Sequence, residues 1–453
     1  MQEVKIIGAG LAGSEAALQL AKRGIKVKLY EMRPYKTTGA HVSEDCAEFV
    51  CSNSLGSSDI SNASGLLKKE MEILGSELLK IAYENSVPAG NALAIAREDF
   101  AKAVTKKIQE NPNIELIREE ITEIPEGNVI IASGPLTSDT LAESIQKFTK
   151  TEHLHFFDAI APIVEVDSIN FDKAFWGARY DKGEASYINC PMNKEEYENF
   201  YNILTNAPRI EQHDIDKNSK FFESCLPVEV LASRGVDTLR FGPMKPVGLV
   251  DKRTGAENYA VVQLRQDNSA KTLFNLVGFQ TNLKWGAQKE LVHSIPGLEN
   301  ANIVRYGVMH RNTFINSSQV LNQTLEAKER EGLFFAGQIT GTEGYTESIA
   351  TGMLAGINMA KKLQDQSQLY LPKETILGAL TFYITDKAHL AHISSRDNSL
   401  RYLPPQPINS NWGILPPIEM PKKERKNKKL KNELLARRSI DTLQNFVNNC
   451  KLL

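Results

Sequence analysis

Two of the five cysteines stand in sequence contexts that favour a reactive thiol. An apolar pair precedes Cys51 and a polar Ser-Asn-Ser run follows it, while Cys225 lies between Glu223 and Glu229. Polar, turn-forming surroundings favour an accessible thiol, and a thiolate can attack an electron-poor carbon. For each of these two cysteines, a buried and inert side chain is the equally open alternative.

The other three cysteines are expected to be small buried residues without a chemical role. They are Cys46, Cys190 and Cys450. The odd number of cysteines, their wide spacing and the lack of a C-x-x-C pair argue against a disulfide framework and a structural zinc site. We therefore expect free thiols and no bound metal.

A glycine-rich turn near the start of the chain predicts a nucleotide-binding site. It follows the apolar run 4–7 and consists of Gly8, Ala9, Gly10, Leu11, Ala12 and Gly13. The first glycine makes the turn, the second lets the backbone approach a pyrophosphate, and the third permits close packing of helix on strand. The helix that follows, through Lys22, would present free N–H groups to phosphate. A turn of the same sequence that binds nothing is the alternative.

A second predicted strand, 26–30, leads to Glu31. A carboxylate about 20 residues after such glycines can bind a ribose hydroxyl, which favours an unphosphorylated ribose. The amino-terminal segment therefore favours FAD or NAD over NADP.

Two later segments favour FAD over NAD. Residues 129–134 have a buried-strand pattern that ends in a small-residue turn, and residues 332–341 form a strand that breaks into glycines. The helix predicted over 346–363 could stabilise negative charge on a reduced flavin with its N-terminus. Close helix packing is the alternative explanation for its small residues. The candidate cofactor contacts in these segments are Gly134, Gly337, Gln338 and Gly341.

Three further segments carry side chains that could bind phosphate, stack on rings or transfer protons. Residues 234–246 and 282–286 mix basic and aromatic side chains, which suits phosphate binding and base stacking, although solvated strand ends explain them equally well. His310 and Arg311 stand side by side before the late glycine segment. A structural histidine and a site histidine both remain open there.

The length and composition predict the elements that must position these residues. A chain of 453 residues, with 42% hydrophobic and 24% charged residues, is typical of a globular protein with more than one lobe. We predict an α/β fold: residues 1–165 and 305–453 form a Rossmann-like FAD-binding domain of the glutathione-reductase type, and residues 166–304 form an inserted α+β domain. Inside the insert, a helix is predicted over 194–207, and strand and turn signals cover 238–248 and 259–264.

The start of the chain lacks the pattern of a secretory signal, and no stretch is apolar enough to span a membrane. We therefore expect a cytoplasmic location and no membrane partner.

Nine segments of the chain resemble the family of folate- and FAD-dependent tRNA (uracil-5-)-methyltransferases, TrmFO. They are IGAGLAGSEAALQLAKRG, YEMRP, EFVCSNSL, DAIAPIV, CLPVEVLASRG, TLRFGPMKPVGL, HRNTFINS, FAGQITGTEGYTES and NWGILPP. They occur in the family's order from the first strand to beyond residue 410, which is far more specific than the glycine turn alone. A larger relative, the GidA flavoprotein, shares the two flavin segments but is a longer chain.

The resemblance implies a specific reaction. The family transfers a methylene group from methylenetetrahydrofolate to C5 of uridine 54 in the T-loop of tRNA, and reduces it to methyl with flavin electrons drawn from NADH or NADPH. Uracil C5 reacts poorly until a nucleophile adds at C6, and a thiolate suits that addition. The resemblance assigns this chemistry to Cys51 and Cys225 without deciding which is the nucleophile. It assigns removal of the C5 proton to Tyr345 and stacking of the folate to His310.

Three other functions remain open from the sequence. The same chemistry could act on a uridine of ribosomal RNA. The chain could be a flavin oxidoreductase for a small molecule, or an RNA-binding flavoprotein without catalytic activity. The first keeps the folate site, and the last needs only the nucleotide lobe and a positive surface.

The net charge of −2 hides an uneven distribution. Residues 422–438, predicted as a basic C-terminal helical tract, contain nine lysines and arginines and only two glutamates. A solvated helix is the usual explanation for such a run. In an RNA-binding protein the same tract would contact phosphates and make binding strongly salt-dependent.

Overall fold

The computed structural model describes most of the chain. The described residues are 3–38, 40–150, 154–159, 161–181, 184–210, 226–251, 255, 258–307, 309–386, 391–393, 400–402, 407–421, 424 and 427–450. The strands are β1 (Glu3–Ile7), β2 (Lys26–Glu31), β3 (Ser54–Ser57), β4 (Ser86–Val87), β5 (Ala92–Ile95), β6 (Ile114–Arg118), β7 (Asn128–Ile131), β8 (Leu154–Ala159), β9 (Ile163–Glu165), β10 (Phe175–Gly177), β11 (Tyr187–Met192), β12 (Ala260–Gln266), β13 (Leu273–Leu276), β14 (Ile303–Arg305), β15 (Met309–Phe314), β16 (Leu333–Phe335), β17 (Ala391–Ile393) and β18 (Leu400–Tyr402).

The α-helices alternate with these strands. They are α1 (Leu11–Lys22), α2 (Ala63–Leu74), α3 (Glu77–Glu84), α4 (Arg97–Gln109), α5 (Asp139–Thr149), α6 (Lys194–Asn206), α7 (Val228–Ala232), α8 (Thr238–Phe241), α9 (Trp285–His293), α10 (Ser317–Val320), α11 (Tyr345–Leu363), α12 (Ile376–Thr385) and α13 (Lys428–Asn449). Among the helices that the structure describes, none combines the length and hydrophobicity that a bilayer span requires.

A five-stranded sheet with the order β16-β7-β1-β2-β6 forms the centre of the nucleotide lobe. All four pairings are parallel. Val129, Ile130 and Ile131 on β7 are fully buried, as expected for a parallel strand covered on both faces. With α1 between β1 and β2, this is the arrangement that the glycine turn predicts. The predicted α/β, Rossmann-like fold is confirmed.

Helix α11 packs directly on α1 through small residues. A Cβ added to Gly352 would lie 2.2 Å from the carbonyl oxygen of Ala12, and one added to Gly356 would lie 2.8 Å from that of Ala16. No larger side chain fits at these two positions, because the two helix backbones nearly touch. The small residues of α11 therefore serve close packing, and β16 and α11 bring a late part of the chain into the lobe that begins at β1.

A six-stranded sheet with the order β10-β11-β12-β13-β9-β14 forms the second lobe, and its pairings are antiparallel. Tyr197 and Phe200 of α6 and Leu291 of α9 pack into its separate apolar core. Strands β8 and β15 pair with each other beside this lobe. Strands β9 and β14 lie at the predicted boundaries of the insert, and the division of domains at 166 and 304 stays a prediction.

Residues 238–248 begin with a helical turn, so a strand there is a wrong prediction. The N–H groups of Arg240 and Phe241 both donate to the carbonyl oxygen of Asp237, which closes α8. Gly242 follows directly, and the next residue is a proline, which cannot donate a backbone hydrogen bond. The helix predicted over 194–207 is confirmed as α6, and the strand predicted over 259–264 is confirmed as β12.

The C-terminal helix α13 begins inside the predicted basic tract. The side chain of Asn427 caps it by accepting the N–H of Leu430 at 3.1 Å. Residues 422, 423, 425 and 426 lie outside the described residues. One face of α13 buries Leu435 and Leu443, and Lys428, Lys429 and Lys431 are exposed.

Glu70 on α2 connects two C-terminal helices to the nucleotide lobe. Its carboxylate accepts the N–H of Ile376 at 2.6 Å and that of Leu377 at 2.9 Å, at the start of α12. The hydroxyl of Ser439 on α13 also donates to it. Burial raises the pKa of Glu70 to about 7, and these hydrogen bonds oppose the rise.

Candidate functional site

A cleft opens at the carboxyl ends of β1, β2 and β7. In parallel α/β sheets this edge is where ligands bind. Its lining includes Gly8, Gly10, Leu11, Ala12, Glu31, Gly134, Gly337, Gln338, Val50 and Tyr345. The structure therefore brings together the early glycine turn, the end of β2 and both later glycine segments that the sequence selected.

The glycine turn has the geometry of a phosphate cradle. Gly8 has φ +99°, and a Cβ added to Gly13 would lie 1.8 Å from the carbonyl oxygen of Gly8, so the turn and the first helical turn are in close contact. A Cβ added to Gly10 would meet no atom within 4 Å. Close packing thus explains why glycine occupies positions 8 and 13. The open space at Gly10, in contrast, leaves room for a bound group against the backbone.

The carboxylate of Glu31 lies beside this turn. It accepts the N–H of Ala9 at 3.1 Å and the Nε–H of Arg33 at 2.9 Å. Burial would raise the pKa of Glu31, but its hydrogen bonds and ion pair with Arg33 outweigh this and hold the pKa below its usual range. Arg33 also donates to Glu48 at 3.0 Å. Arg33 and Glu48 were not among the residues predicted from the sequence, although Arg33 lies in the quoted segment YEMRP.

The later glycine segments divide into residues at the cleft and one outside it. Gly134 and Gly337 line the cleft, with φ values of +69° and +80°. Gln338 also lines it and donates from its side chain to Glu343 at 2.5 Å. Gly341 has φ +86° and lies against the ring of Phe314, and it is not among the residues that line the cleft.

Cys51 and Tyr345 meet at the edge of the cleft. The backbone N–H of Cys51 donates to the hydroxyl oxygen of Tyr345 at 2.6 Å. Tyr345 is the first residue of α11, and its ring centroid lies 4.4 Å from that of Phe49. The neighbouring Thr346 donates from its hydroxyl to the carbonyl oxygen of Leu55 at 2.8 Å. These contacts hold the start of α11 against the Cys51 loop, residues 49–53, and against the adjoining strand β3.

The described cysteines differ in their burial. Cys46 and Cys190 are fully buried. Burial raises the pKa of Cys46 to about 11 and that of Cys190 well above its usual range, so both remain protonated thiols near neutral pH. Cys51 and Cys450 are half-buried. The expectation of burial is therefore confirmed for Cys46 and Cys190 and wrong for Cys450, which follows the last turn of α13.

The side chains of two other predicted site residues lie outside the described part of the chain. Cys225 lies outside the described residues. The backbone of His310 belongs to β15 and pairs with Asp158 of β8, whereas its side chain is outside the described part of the chain. Among the described residues, no group of histidines, cysteines and carboxylates could hold a metal ion.

Asn53 ties the Cys51 loop to the second lobe. It is fully buried, and its amide donates to the carbonyl oxygen of Gln266 at 2.7 Å. Its side-chain oxygen accepts from Arg265 at 2.9 Å and from Asn275 at 3.1 Å. A buried amide needs such partners, but the polar run around Asn53 in the sequence indicates only a loop.

An aromatic pair lies on the surface of the second lobe near the same loop. The rings of Trp285 and Tyr306 are stacked, with centroids 5.5 Å apart and an interplanar angle of 17°. Trp285 is 61% exposed, and Lys284 beside it is also exposed. Arg305, next to Tyr306, donates to the carbonyl oxygen of Val50 at 3.1 Å, which connects this surface to the Cys51 loop.

Comparisons with known proteins identify relatives over nearly the whole chain. A family model described as glucose inhibited division protein A matches residues 3–367. A protein of Anoxybacillus flavithermus named methylenetetrahydrofolate--tRNA-(uracil-5-)-methyltransferase TrmFO is 54% identical over 445 residues, which cover 98% of this chain and 99% of the relative. A Ligilactobacillus salivarius protein of the same name is 53% identical over 446 residues, 98% of each chain.

The solved structures agree with this assignment at the level of the fold. The structure of Aquifex aeolicus GidA in its form II crystal has a TM-score of 0.65 and 17% identity, covering 99% of this chain and 75% of that one. The resemblance found in the sequence segments is confirmed. The chain belongs to the glucose inhibited division protein A family and, within it, to the TrmFO methyltransferases.

Proposed function

We propose that the protein is an RNA methyltransferase that uses FAD and methylenetetrahydrofolate to form 5-methyluridine at position 54 of tRNA. Relatives that match nearly the whole chain are named methylenetetrahydrofolate--tRNA-(uracil-5-)-methyltransferase. The observation that carries the proposal is the contact between Cys51 and Tyr345 at the edge of the dinucleotide cleft. This contact supports the proposal, because it joins the backbone of a half-buried cysteine to a phenol beside the space for a cofactor.

The residues of the cleft fit FAD. The open space at Gly10 accepts a pyrophosphate against the backbone, and the N-terminus of α1 supplies N–H groups and partial positive charge. The carboxylate of Glu31 suits a ribose hydroxyl. Ala9, Leu11, Ala12 and Gly13 complete the turn, and Gly134, Gly337 and Gln338 also line the cleft. We propose NADH or NADPH as the reductant.

In the proposed reaction, the sulfur of Cys51 adds to C6 of the uracil, and the electron pair of the C5=C6 bond forms a new bond from C5 to the methylene carbon of the folate. The C5 proton leaves, and tetrahydrofolate is released. When bound and reduced by NADH or NADPH, the flavin would supply the hydride that converts the exocyclic methylene carbon to methyl. The C6–S bond breaks as the C5=C6 bond reforms, and Cys51 leaves as a thiolate.

We propose that Tyr345 accepts the C5 proton. Its phenol oxygen accepts a hydrogen bond from the backbone of Cys51. A uracil bonded through C6 to the sulfur of that cysteine would therefore have its C5 atom near the phenol. An ordinary phenol has a pKa near 10 and is protonated near neutral pH, so Tyr345 must give its own proton to a neighbouring base as it accepts the C5 proton. His310 is the proposed folate-stacking residue, and Cys225 is the proposed second thiol, as partner or protector of the nucleophile.

Two exposed surfaces suit the RNA partner. Lys428, Lys429 and Lys431 on α13 form a positive strip that can neutralise phosphates. Trp285, stacked on Tyr306, presents a ring face on which an unpaired base can stack. The second of these surfaces joins the Cys51 loop through Arg305. We propose a cytoplasmic location, as the sequence predicts.

The test is a reconstituted reaction with mapping of the product. Flavin-loaded protein is incubated with unmodified tRNA transcript, methylenetetrahydrofolate and NADH, and the modified nucleotide is located by mass spectrometry of ribonuclease fragments. We expect 5-methyluridine at position 54 and none with C51A. A C46A variant, which removes a buried thiol outside the proposed mechanism, is the matched control.

The alternatives give different results when unmodified ribosomal RNA is tested beside the tRNA transcript under the same conditions. Product in ribosomal RNA and none in tRNA would move the proposal to the other RNA. NADH oxidation that is independent of folate and RNA, without any methylated nucleotide, would contradict it and favour a small-molecule oxidoreductase.

A further inference from the structure

Two arginines bind the backbone carbonyl groups of Cys51 and of the two residues before it. Arg97 donates from Nη1 to the carbonyl oxygen of Phe49 at 3.0 Å and from Nη2 to that of Cys51 at 2.9 Å. Arg305 donates from Nη2 to the carbonyl oxygen of Val50 at 3.1 Å. Three consecutive carbonyl groups that end at Cys51 therefore all accept from guanidinium groups.

Arg97 is itself held in one orientation. It is 7% exposed, and its Nε donates to Asp267 of the second lobe at 2.9 Å. The same oxygen of Asp267 accepts from Asn275 at 3.0 Å. The planar guanidinium thus has three nitrogens on three fixed acceptors, which a lysine ammonium on a flexible stem cannot reproduce. The backbone around Cys51 is therefore fixed from both lobes.

Arg305 brings a charge that no carboxylate in the described part of the chain contacts. Its Nη2 also donates to the carbonyl oxygen of Ala40 at 2.8 Å, and it forms no ion pair with any residue that the structure describes. Burial and then the nearby charge of Arg97 lower the pKa of Arg305, so the two guanidinium groups are close enough to repel. Tyr345, Glu48 and Asp267 oppose this effect on the pKa of Arg305.

The charged and titratable groups around the loop come from several elements. They are Arg97 on α4, Arg265 on β12, Arg305 on β14, Lys68 on α2, Asp267 after β12, Glu48 before the loop, His41, and Tyr345 and Glu347 on α11. Asp267 is paired with Arg97, and Glu48 shares Arg33 with Glu31. Among these described groups, four cationic side chains face three carboxylates, so positive charge is in excess around the Cys51 loop. Nearby positive charge favours a thiolate over a thiol.

We propose that Arg97 and Arg305 are positioning residues for Cys51, which hold its loop in one conformation and stabilise its thiolate by their charges. The inference rests on the proposed function, in which Cys51 is the nucleophile. It separates two tasks. Arg97 mainly fixes geometry, because its charge is balanced by Asp267, whereas Arg305 mainly contributes charge.

The test measures alkylation of Cys51 against pH. Flavin-loaded wild-type protein and the variants R97K, R97Q, R305K and R305Q are treated with iodoacetamide, and the rate is read from the peptide that contains Cys51 by mass spectrometry. R330K is the matched control, because Arg330 also binds two backbone carbonyls, those of Pro125 and Gly127, at the opposite edge of the sheet. Methylation kcat and the KM for tRNA are measured on the same samples.

We expect R305Q to move the alkylation midpoint to higher pH and to lower the rate at pH 7 by about three- to tenfold, since one pH unit is a factor of ten in thiolate below the midpoint. R305K keeps the charge and should lie close to wild type. R97K should keep the midpoint but lower kcat about tenfold with little change in KM. R330K should change none of these values.

Two results would overturn the inference. One is an alkylation midpoint in R305Q equal to that of the wild type. If alkylation of R305Q were also faster at every pH with that same midpoint, the substitution would only have loosened the loop. The other is a wild-type kcat in R97K. If a glutamine variant does not fold, the kcat of R97K still tests the inference. If C51A remained active, the proposed nucleophile would be wrong, yet the alkylation midpoints would still report the charge effect separately.

Discussion

The backbone N–H of Cys51 donates a 2.6 Å hydrogen bond to the hydroxyl of Tyr345, a residue 294 positions further along the chain. The contact joins the loop before β3 to the first residue of α11. Because the phenol oxygen accepts this bond, its own O–H proton is directed elsewhere. The cysteine backbone therefore orients the phenol.

Replacing this phenol tests its role as a proton acceptor. Y345F removes the oxygen and leaves the N–H of Cys51 without that acceptor, while the ring can still pack on Phe49. We expect flavin content to stay normal and methylation kcat to fall by about 10² to 10⁴, the usual contribution of a positioned acid or base. Single-turnover methylation measures it. Y83F, which alters an exposed tyrosine bound to Glu72, is the control, and a wild-type rate in Y345F would assign the C5 proton to another group.

Two alanine substitutions in the glycine turn should separate folding from cofactor binding. At Gly13 an added Cβ would lie 1.8 Å from a carbonyl oxygen, whereas Gly10 has open space and φ −70°, which alanine can adopt. We expect G13A to lower the free energy of unfolding of flavin-free protein by about 3 kcal/mol, the upper range for overpacking. G10A should change it by less than about 0.5 kcal/mol but lose flavin. Urea denaturation and visible absorbance measure both, and equal losses of stability would contradict the distinction.

The carboxylate of Glu31 should contribute to flavin affinity through its charge. E31Q keeps the size of the side chain but removes the ion pair with Arg33. We expect flavin to bind about tenfold more weakly, which corresponds to about 1.4 kcal/mol, just below the range of about 1.5 to 3 kcal/mol for a hydrogen bond to a charged group. Fluorescence titration of the flavin-free protein gives the dissociation constant. E115Q, at an exposed position on β6, is the control.

The same residue predicts how flavin affinity responds to acid. The pKa of Glu31 is held below its usual range, so its contribution is present above the ordinary carboxyl pKa and is lost only as the pH falls through the lowered value. Affinity should therefore not fall through protonation of Glu31 between about pH 7 and 5. A loss in that range that disappears in E31Q would contradict the lowered pKa.

Glu70 predicts a loss of stability as the pH rises towards neutral. Burial raises its pKa from 4.5 to about 7, so the folded state prefers the protonated form. Its stabilisation is complete below about pH 4.5 and is lost as the pH rises through about 7, by about 3 kcal/mol for this shift. E70Q should flatten the pH dependence of the free energy of unfolding in that range. E72Q, at an exposed position on the same helix, should keep the wild-type slope.

The exposed lysines of α13 predict the salt dependence of RNA binding. Replacing Lys428, Lys429 and Lys431 by glutamine should weaken tRNA binding and reduce the slope of log K against log salt concentration by about 2 to 3, if each lysine neutralises one phosphate. Filter binding at several salt concentrations measures it. The control carries K102Q and K106Q, which alter exposed lysines on α4. An unchanged slope would make the strip a solubility feature.

The first unit of the fold could be predicted from sequence because its signals are local. The glycines, the apolar run before them and Glu31 lie within one β-α-β segment, and the observed α1 ends at Lys22 as predicted. The helix predicted over 346–363 begins only one residue earlier in the structure. Short-range patterns of this kind determine both the element and its ends.

The surroundings of Cys51 could not be predicted, because they depend on tertiary packing. In sequence, Arg97 is an ordinary first residue of a helix, and Asp267 lies 170 residues away from it. Nothing local distinguishes these two from exposed charges, although both are buried. The sequence does place Tyr345 and Cys51 in family segments, but only packing of α11 against the loop explains how they meet.

The close contact of α11 with α1 also determines when the nucleotide lobe can mature. Synthesis on the ribosome releases the glycine turn early, whereas β16 and the helix that covers α1 emerge only after the whole second lobe has been made. Until then, one side of α1 has no partner and β7 has an open edge. A nascent chain that stops inside the second lobe would therefore expose its coenzyme-binding half to chaperones and proteases in a form unable to retain flavin.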